Sequence, residues 1–191
     1  MQRTTKEIEQ ELLVLQAQSG DRKALHKIVE CWHPRLLRHA LFLTKRSEVA
    51  AEAVQDAWIS VIKSLRQLRD PASFKAWVFR IVQNRAMDLM RRESRKRSAL
   101  VNMVNQSAVA ETRPRNEKAF DSNTLRAAIE SLTSELQNVL RLYYTEEMSV
   151  KEVSHVIGIA EGTVKHRLFR ARQQLKTLLT IEEQDDERER D

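Results

Sequence analysis

Apolar residues recur every three to four positions along most of this chain, a spacing that predicts helices rather than strands. Ile8, Leu12, Leu13 and Leu15 outline a first amphipathic helix that stops at Ser19-Gly20. Asp21 is placed to cap a second helix running to about His33, and Pro34 opens another, where its missing N–H does no harm. Leu36, Leu37, Ala40, Leu41 and Leu43 carry that helix's apolar face. Ser47 caps a longer helix with Val49, Ala53, Val54, Ala57, Trp58, Val61, Ile62 and Leu65 turned inward. Gln67 to Ser73 make a short connection around Asp70-Pro71. Phe74, Trp77, Val78, Ile81, Val82 and Leu89 then mark a helix that runs into the basic stretch ending at Arg97. Periodicity lapses over residues 98–122, which are rich in Ser, Asn and Gln and contain Pro114. That segment reads as a flexible linker, with a helical piece near Ala99–Val104. From Asn123 the pattern resumes, first with Leu125, Ile129 and Leu132, then with Leu136, Val139, Leu140, Leu142 and Tyr143.

The stretch from Ser149 to Arg170 reads as two short helices around a tight turn. Ser149 and Glu152 have the spacing of a capping box, in which each side chain bonds the other residue's backbone N–H. Val153, Val156 and Ile157 supply the inner face, and Gly158 stands where the helix must end, because glycine turns left-handed without a Cβ clash. Val164, Leu168, Ala171, Leu175 and Leu178 form the buried stripe of the second helix. At about 100° per residue, His166, Phe169, Arg170 and Gln173 point the opposite way, with Thr163, Lys165, Arg167 and Arg172 on the flanks. A cationic outer face holding a phenylalanine fits a helix that enters the major groove, where an apolar ring can meet a thymine methyl. The competing reading is an ordinary helical hairpin with a solvated charged face.

The predicted fold is all-α: two small helical domains joined by a flexible linker, the second containing a helix-turn-helix. The parts are residues 1–97, a linker at 98–122, a second domain at 123–181 and an acidic, disordered tail at 182–191. Three glycines and three prolines in 191 residues agree with this, since sheets and long loops consume turn residues. The net charge of +6 is unevenly spread. Residues 20–97 carry 18 Lys and Arg against 8 Asp and Glu, residues 123–181 carry 8 against 6, and residues 182–191 carry 2 against 7. A basic first half points to a polyanionic partner. No apolar run approaches a membrane span and no signal peptide opens the chain, so no membrane insertion is expected. A single cysteine, Cys31, fits a reducing cytoplasm.

Catalytic chemistry finds no foothold in the sequence. His26, Cys31, His33 and His39 are the sole cluster resembling metal ligands, and their spacing matches no zinc signature. No Ser/His/Asp set, glycine-rich phosphate loop or pair of catalytic carboxylates is present. A binding protein without metal or cofactor is expected, not an enzyme.

Ala51–Trp58 and Phe74–Asp88 resemble region 2 of bacterial extracytoplasmic-function (ECF) sigma factors, and Gly158–Arg172 resembles their region 4. The resemblance spans about residues 8–97 and 124–179, in the order the family uses. It implies a protein that binds core RNA polymerase and directs it to promoter DNA, with region 2 reading the melted −10 element and region 4 the duplex −35 element. It also implies an anti-sigma factor as a partner. By position, Glu52, Gln55 and Asp56 are the candidate polymerase contacts. Asp70, Ser73, Asn84 and Asp88 supply polar groups for the −10 element, and Lys75, Arg80, Arg91 and Arg92 supply phosphate contacts. Asn84 leads, because its amide both donates and accepts to the edge of an unstacked base. Trp77 lies on the stripe of Phe74, Val78 and Ile81 and is assigned to the core.

At the −35 element, Arg170 and Phe169 are expected to read base edges, Lys165, Arg167 and Arg172 to hold phosphates, and Thr163 to flank them. His166 stands where the family has a small residue, Ala160 where Ser or Pro would cap the helix, and Asn138 where glutamate is common. The nearest rival is a dimeric helix-turn-helix regulator that does not act as a sigma subunit.

Overall fold

The computed structural model describes residues 4–101 and 122–188, and these fall in two compact units, Met1–Ser107 and Ala108–Asp191. The linker expected at 98–122 lies largely outside the described residues; at its edges, one helix continues to Val101 and the next begins at Ser122.

The first unit is a bundle of four helices: α1 (Thr5–Gln18), α2 (Arg22–Thr44), α3 (Ser47–Ser64) and α4 (Phe74–Val101). Asp21 caps α2 as expected, accepting from the N–H groups of Lys23 and Ala24. No break occurs at Pro34, which lies inside α2 rather than at a helix start. A proline there forfeits one backbone bond and costs about 3 kcal/mol. The uninterrupted stripe of Ile28, Trp32, Leu36 and Ala40, all buried, offsets that loss. Ser47 is not the cap of α3: Arg46 holds that position without a side-chain bond, and the Ser47 hydroxyl donates to Glu48. Backbone N–H and Ser47 bonds to the Glu48 carboxylate hold its pKa below the usual value.

The core is centred on Phe79, which is fully buried and set edge-on to Trp32, with its ring 6.3 Å away at 82°. His39 is equally buried, with Nε2 3.1 Å from Gln83 Oε1. The first helix departs from expectation. Ile8, Leu12 and Leu15 remain more than half exposed, and Val14 is the buried residue. The rotation of α1 follows from Gln18, whose amide nitrogen donates to the carbonyls of Leu65 and Leu68 beyond the end of α3. Leu41 and Ile62 also face outward, contrary to their expected place in the core.

The second unit contains α5 (Ser122–Ser131), α6 (Ser134–Leu140), α7 (Val150–Ile157) and α8 (Glu161–Arg188). A π-helical turn, Arg141–Thr145, follows α6. Val139, Leu142, Val153, Val156, Val164 and Ala171 form its centre, with Leu125 of the expected stripe left exposed. Asn138 is buried, so that side chain is not available to a partner at the surface. The acidic tail expected to lack structure is helical as far as Arg188. After Gly162 the chain has no glycine or proline to stop α8, and its Glu, Gln and Arg residues favour a helix. No described helix is long and apolar enough to cross a membrane.

Candidate nucleic-acid interface

The helix-turn-helix is built from local signals. Ser149 Oγ accepts from the Glu152 N–H, while the Glu152 carboxylate accepts from the Ser149 N–H at 2.8 Å. Gly158 ends α7 at φ 79°, in the left-handed region, and its N–H donates to the Ser154 carbonyl. The Ser154 hydroxyl crosses the turn to the Ile159 carbonyl at 2.6 Å. Ala160 offers no capping side chain, and its carbonyl accepts from Thr163 and Val164 to start α8. Val164, Leu168 and Ala171 are buried beneath α8, and Leu175 and Leu178 are half-buried.

On the opposite face, Thr163, Lys165, His166, Phe169 and Arg170 are exposed, Phe169 at 58%. The ring thus leaves much of its apolar surface open to solvent. The two flanking arginines are fixed from behind. Arg167 pairs with Glu135 of α6 at 2.8 Å. Arg172 Nε donates to the Tyr144 hydroxyl at 2.9 Å, and its guanidinium lies 5.8 Å and 5.7 Å from the rings of Tyr143 and Tyr144. These anchors, on α6 and the π-helical turn, were not visible in the motif itself.

The first unit offers a concave surface instead. A depression of about 370 Å³ lies between α3 and α4, lined by Ser60, Ser64, Trp77, Ile81, Asn84, Arg85 and Asp88. Asn84 and Asp88 are thus brought together as the sequence suggested. Ser60, Ser64 and Arg85 were missed, although two serines four residues apart at the edge of an apolar stripe were a readable signal. Each serine hydroxyl donates to a helix carbonyl, Ser60 to Asp56 and Ser64 to Ser60. Their oxygens remain acceptors, and Ser60 Oγ takes a bond from Arg85 Nη2 at 2.9 Å. Trp77 belongs partly to the core: its ring is 6.0 Å from Phe74, yet it also lines the depression.

The other −10 candidates lie outside that lining. Asp70 and Ser73 serve the connection before α4: Asp70 Oδ1 accepts from the Ala72 N–H, and the Ser73 hydroxyl donates to the Asp70 carbonyl. Lys75 and Arg80 are half-buried on α4. Arg91 lies 3.6 Å from Asp88, and Arg92 is exposed. On the outer side of α3, Glu52 and Gln55 are exposed and Asp56 is half-buried. Ile59 and Ile62 continue their row, two large apolar side chains left exposed.

A four-helix bundle with a polar depression, followed by a helix-turn-helix, defines a bipartite reader of nucleic acid. The family model for sigma-70 region 2 matches residues 28–96, and that for sigma-70, region 4, matches residues 122–175. The ECF RNA polymerase sigma factor SigM of Mycobacterium tuberculosis is 31% identical over 161 residues, 84% of this chain and 80% of the relative. SigM of Bacillus subtilis is 27% identical, covering 81% of this chain and 94% of the relative. Among solved structures, CnrH in complex with the cytosolic domain of CnrY has a TM-score of 0.60 at 26% identity, covering 90% of this chain and 97% of that one. The chain belongs to the ECF RNA polymerase sigma factors, alternative sigma factors that bind core polymerase and direct promoter-specific initiation. A dimeric regulator working apart from polymerase is not favoured, because the region 2 match covers α3 and α4 as far as residue 96.

Proposed function

We propose that the two units divide promoter recognition by the form of the DNA each meets. The α3–α4 depression receives an unstacked base of the melted −10 element. Asn84 meets its pairing edge, Trp77 and Ile81 cover its faces, and Asp88 and the serine oxygens accept from exocyclic amines. Arg91 and Arg92 follow the phosphates, and Lys75 and Arg80 extend that basic track, while Asp70 and Ser73 shape the connection leading to it. The observation that carries this reading is the polar depression itself, since a strand read after melting needs a recess rather than a projecting helix.

In the second unit, Arg170 and Phe169 read the duplex −35 element, and Lys165, Arg167 and Arg172 hold phosphates. Thr163 and His166 flank the reading face, with His166 setting part of the preference. Glu52, Gln55 and Asp56, joined by Ile59 and Ile62, form the polymerase-facing row of α3. The protein acts by binding rather than catalysis, works in the cytoplasm beside polymerase, and is held inactive by an anti-sigma factor. The CnrH–CnrY complex supports that last role by analogy.

The test is run-off transcription with core polymerase on a promoter selected by the wild-type holoenzyme from randomised DNA. Asn84→Ala is expected to reduce initiation on the duplex promoter and also on a template whose base at the read position is already unpaired, because that template still presents the edge Asn84 meets. Equal initiation by wild type and variant on both templates overturns the pocket.

A further inference from the structure

The buried stripe of α4 does not end with the packing. Val82, Ala86 and Leu89 are buried, and four residues past Leu89 the same face carries Glu93. At about 100° per residue, Glu93 therefore continues the inward row, but as a carboxylate. The opposite face carries Trp77, Ile81, Asn84 and Asp88 of the depression, and one and two turns further on the same line it carries Arg91 and Arg95. Beyond Leu89, Arg91, Arg92 and Arg95 are exposed, so their packing does not fix the direction of this part of the helix.

The contact between Arg46 and Glu93 fixes it. Arg46 Nη1 lies 2.7 Å from both carboxylate oxygens of Glu93, across 47 residues of chain. Arg46 is itself held in a tight corner between α2 and α3. The Thr44 hydroxyl donates to the Ala40 carbonyl at 2.9 Å and accepts from the Arg46 N–H, and Lys45 is left-handed at φ 57° with its N–H bonded to Leu41. The corner is a firm mount, and its guanidinium grips the last inward position of α4.

We infer that Arg46 and Glu93 form a brace that aligns the arginine row of α4 with the α3–α4 depression, making both of them positioning residues for promoter DNA. This rests on the reading of Arg91 and Arg92 as phosphate contacts. Both members of the pair are about half exposed, so the contact contributes little to global stability. Its consequence is directional. A carboxylate among arginines opposes DNA by charge alone, yet here its geometry serves DNA binding.

The test exploits that conflict of sign, using the full chain in holoenzyme on the selected promoter. Glu93→Gln removes a negative charge, so electrostatics alone predicts tighter binding. The brace predicts promoter affinity weaker by about threefold to fivefold, the range open to an exposed ion pair, with an unchanged melting temperature. Arg46→Glu combined with Glu93→Arg re-forms the pair in reverse and should return affinity to within about twofold of wild type. Glu93→Gln binding as tightly as wild type, or more tightly, overturns the inference. So does failure of the reversed pair to restore affinity. Arg91→Ala with Arg92→Ala separates the two ideas. If that variant binds like wild type, the phosphate reading falls and takes the brace with it. If it is weakened while Glu93→Gln is not, the brace alone falls.

Discussion

The two surfaces proposed to meet nucleic acid differ in how far apart in sequence their parts lie. The helix-turn-helix is assembled within Ser149–Arg172, its cap, turn and reading face following one another along the chain. The depression joins Ser60 and Ser64 of α3 to Asn84 and Asp88 of α4 and exists only when the bundle is packed. The contrast follows from the targets. Duplex DNA offers a groove, which a single projecting helix can fill. An unstacked base needs walls on several sides, and one helix cannot supply them. A convex reader can be local, whereas a concave one must be tertiary.

The comparison is most sharply broken at Phe79, which has no place in either surface but sits fully buried beneath the depression's helices. Phe79→Ala is expected to cost about 3–5 kcal/mol of unit 1 stability. Chemical denaturation followed by tryptophan fluorescence reports this directly, since Trp32, Trp58 and Trp77 all lie in that unit. Duplex binding by the helix-turn-helix should persist in the same variant. Loss of both together would mean that the second surface also depends on the first unit's core.

The same distinction governs what could be read from the sequence. The capping box, Gly158 and the outward Phe169 and Arg170 were legible because each depends on residues a few positions apart. Asn84 and Asp88 were legible as polar positions on one helix, and the spacing of Ser60 and Ser64 was a signal too, but their meeting with Arg85 was not, because it is made across the bundle. The rotation of α1 failed for a related reason. Its apolar spacing suggested Ile8, Leu12 and Leu15 as the inner face, but Gln18 bonding to carbonyls near residue 65 set the angle instead. Pro34 misled because proline is a sound start signal, and continuous burial along α2 overrode it. Periodicity locates helices well; it does not say which polar residue will choose their rotation.

Smaller effects sharpen the contrast. On the proposed reading Arg170 offers a donor pair to a guanine edge, and Arg170→Ala should cost about 1–3 kcal/mol at the −35 element. Because the arginine is exposed, the loss should appear on duplex DNA without a change in melting temperature. Anisotropy titration at fixed salt measures it, and an affinity equal to wild type would remove Arg170 from the reading face. Gly158→Ala tests the turn itself. Nothing lies within 4 Å of the added Cβ, so the expected cost of about 1–2 kcal/mol is wholly that of a left-handed backbone at φ 79°. An unchanged unit 2 denaturation midpoint would show that the turn shifts freely to another conformation.

The smallest effect tests the claim that the second surface is local. Tyr144 is 28 residues from Arg172, lies in the π-helical turn outside the motif, and accepts a bond from its Nε. That bond leaves the outer guanidinium N–H groups available for a phosphate. Tyr144→Phe keeps both aromatic rings beside the guanidinium and deletes only the hydroxyl, so packing and the cation–π contacts remain. One exposed hydrogen bond contributes about 0.5–1 kcal/mol, and duplex affinity should fall about twofold to fivefold with the salt dependence unchanged. A shallower salt slope would mean that the phosphate contact itself was lost, making Tyr144 as necessary to this surface as α3 is to the depression. An effect below twofold would leave the helix-turn-helix self-sufficient, with its arginine aimed by α8 alone.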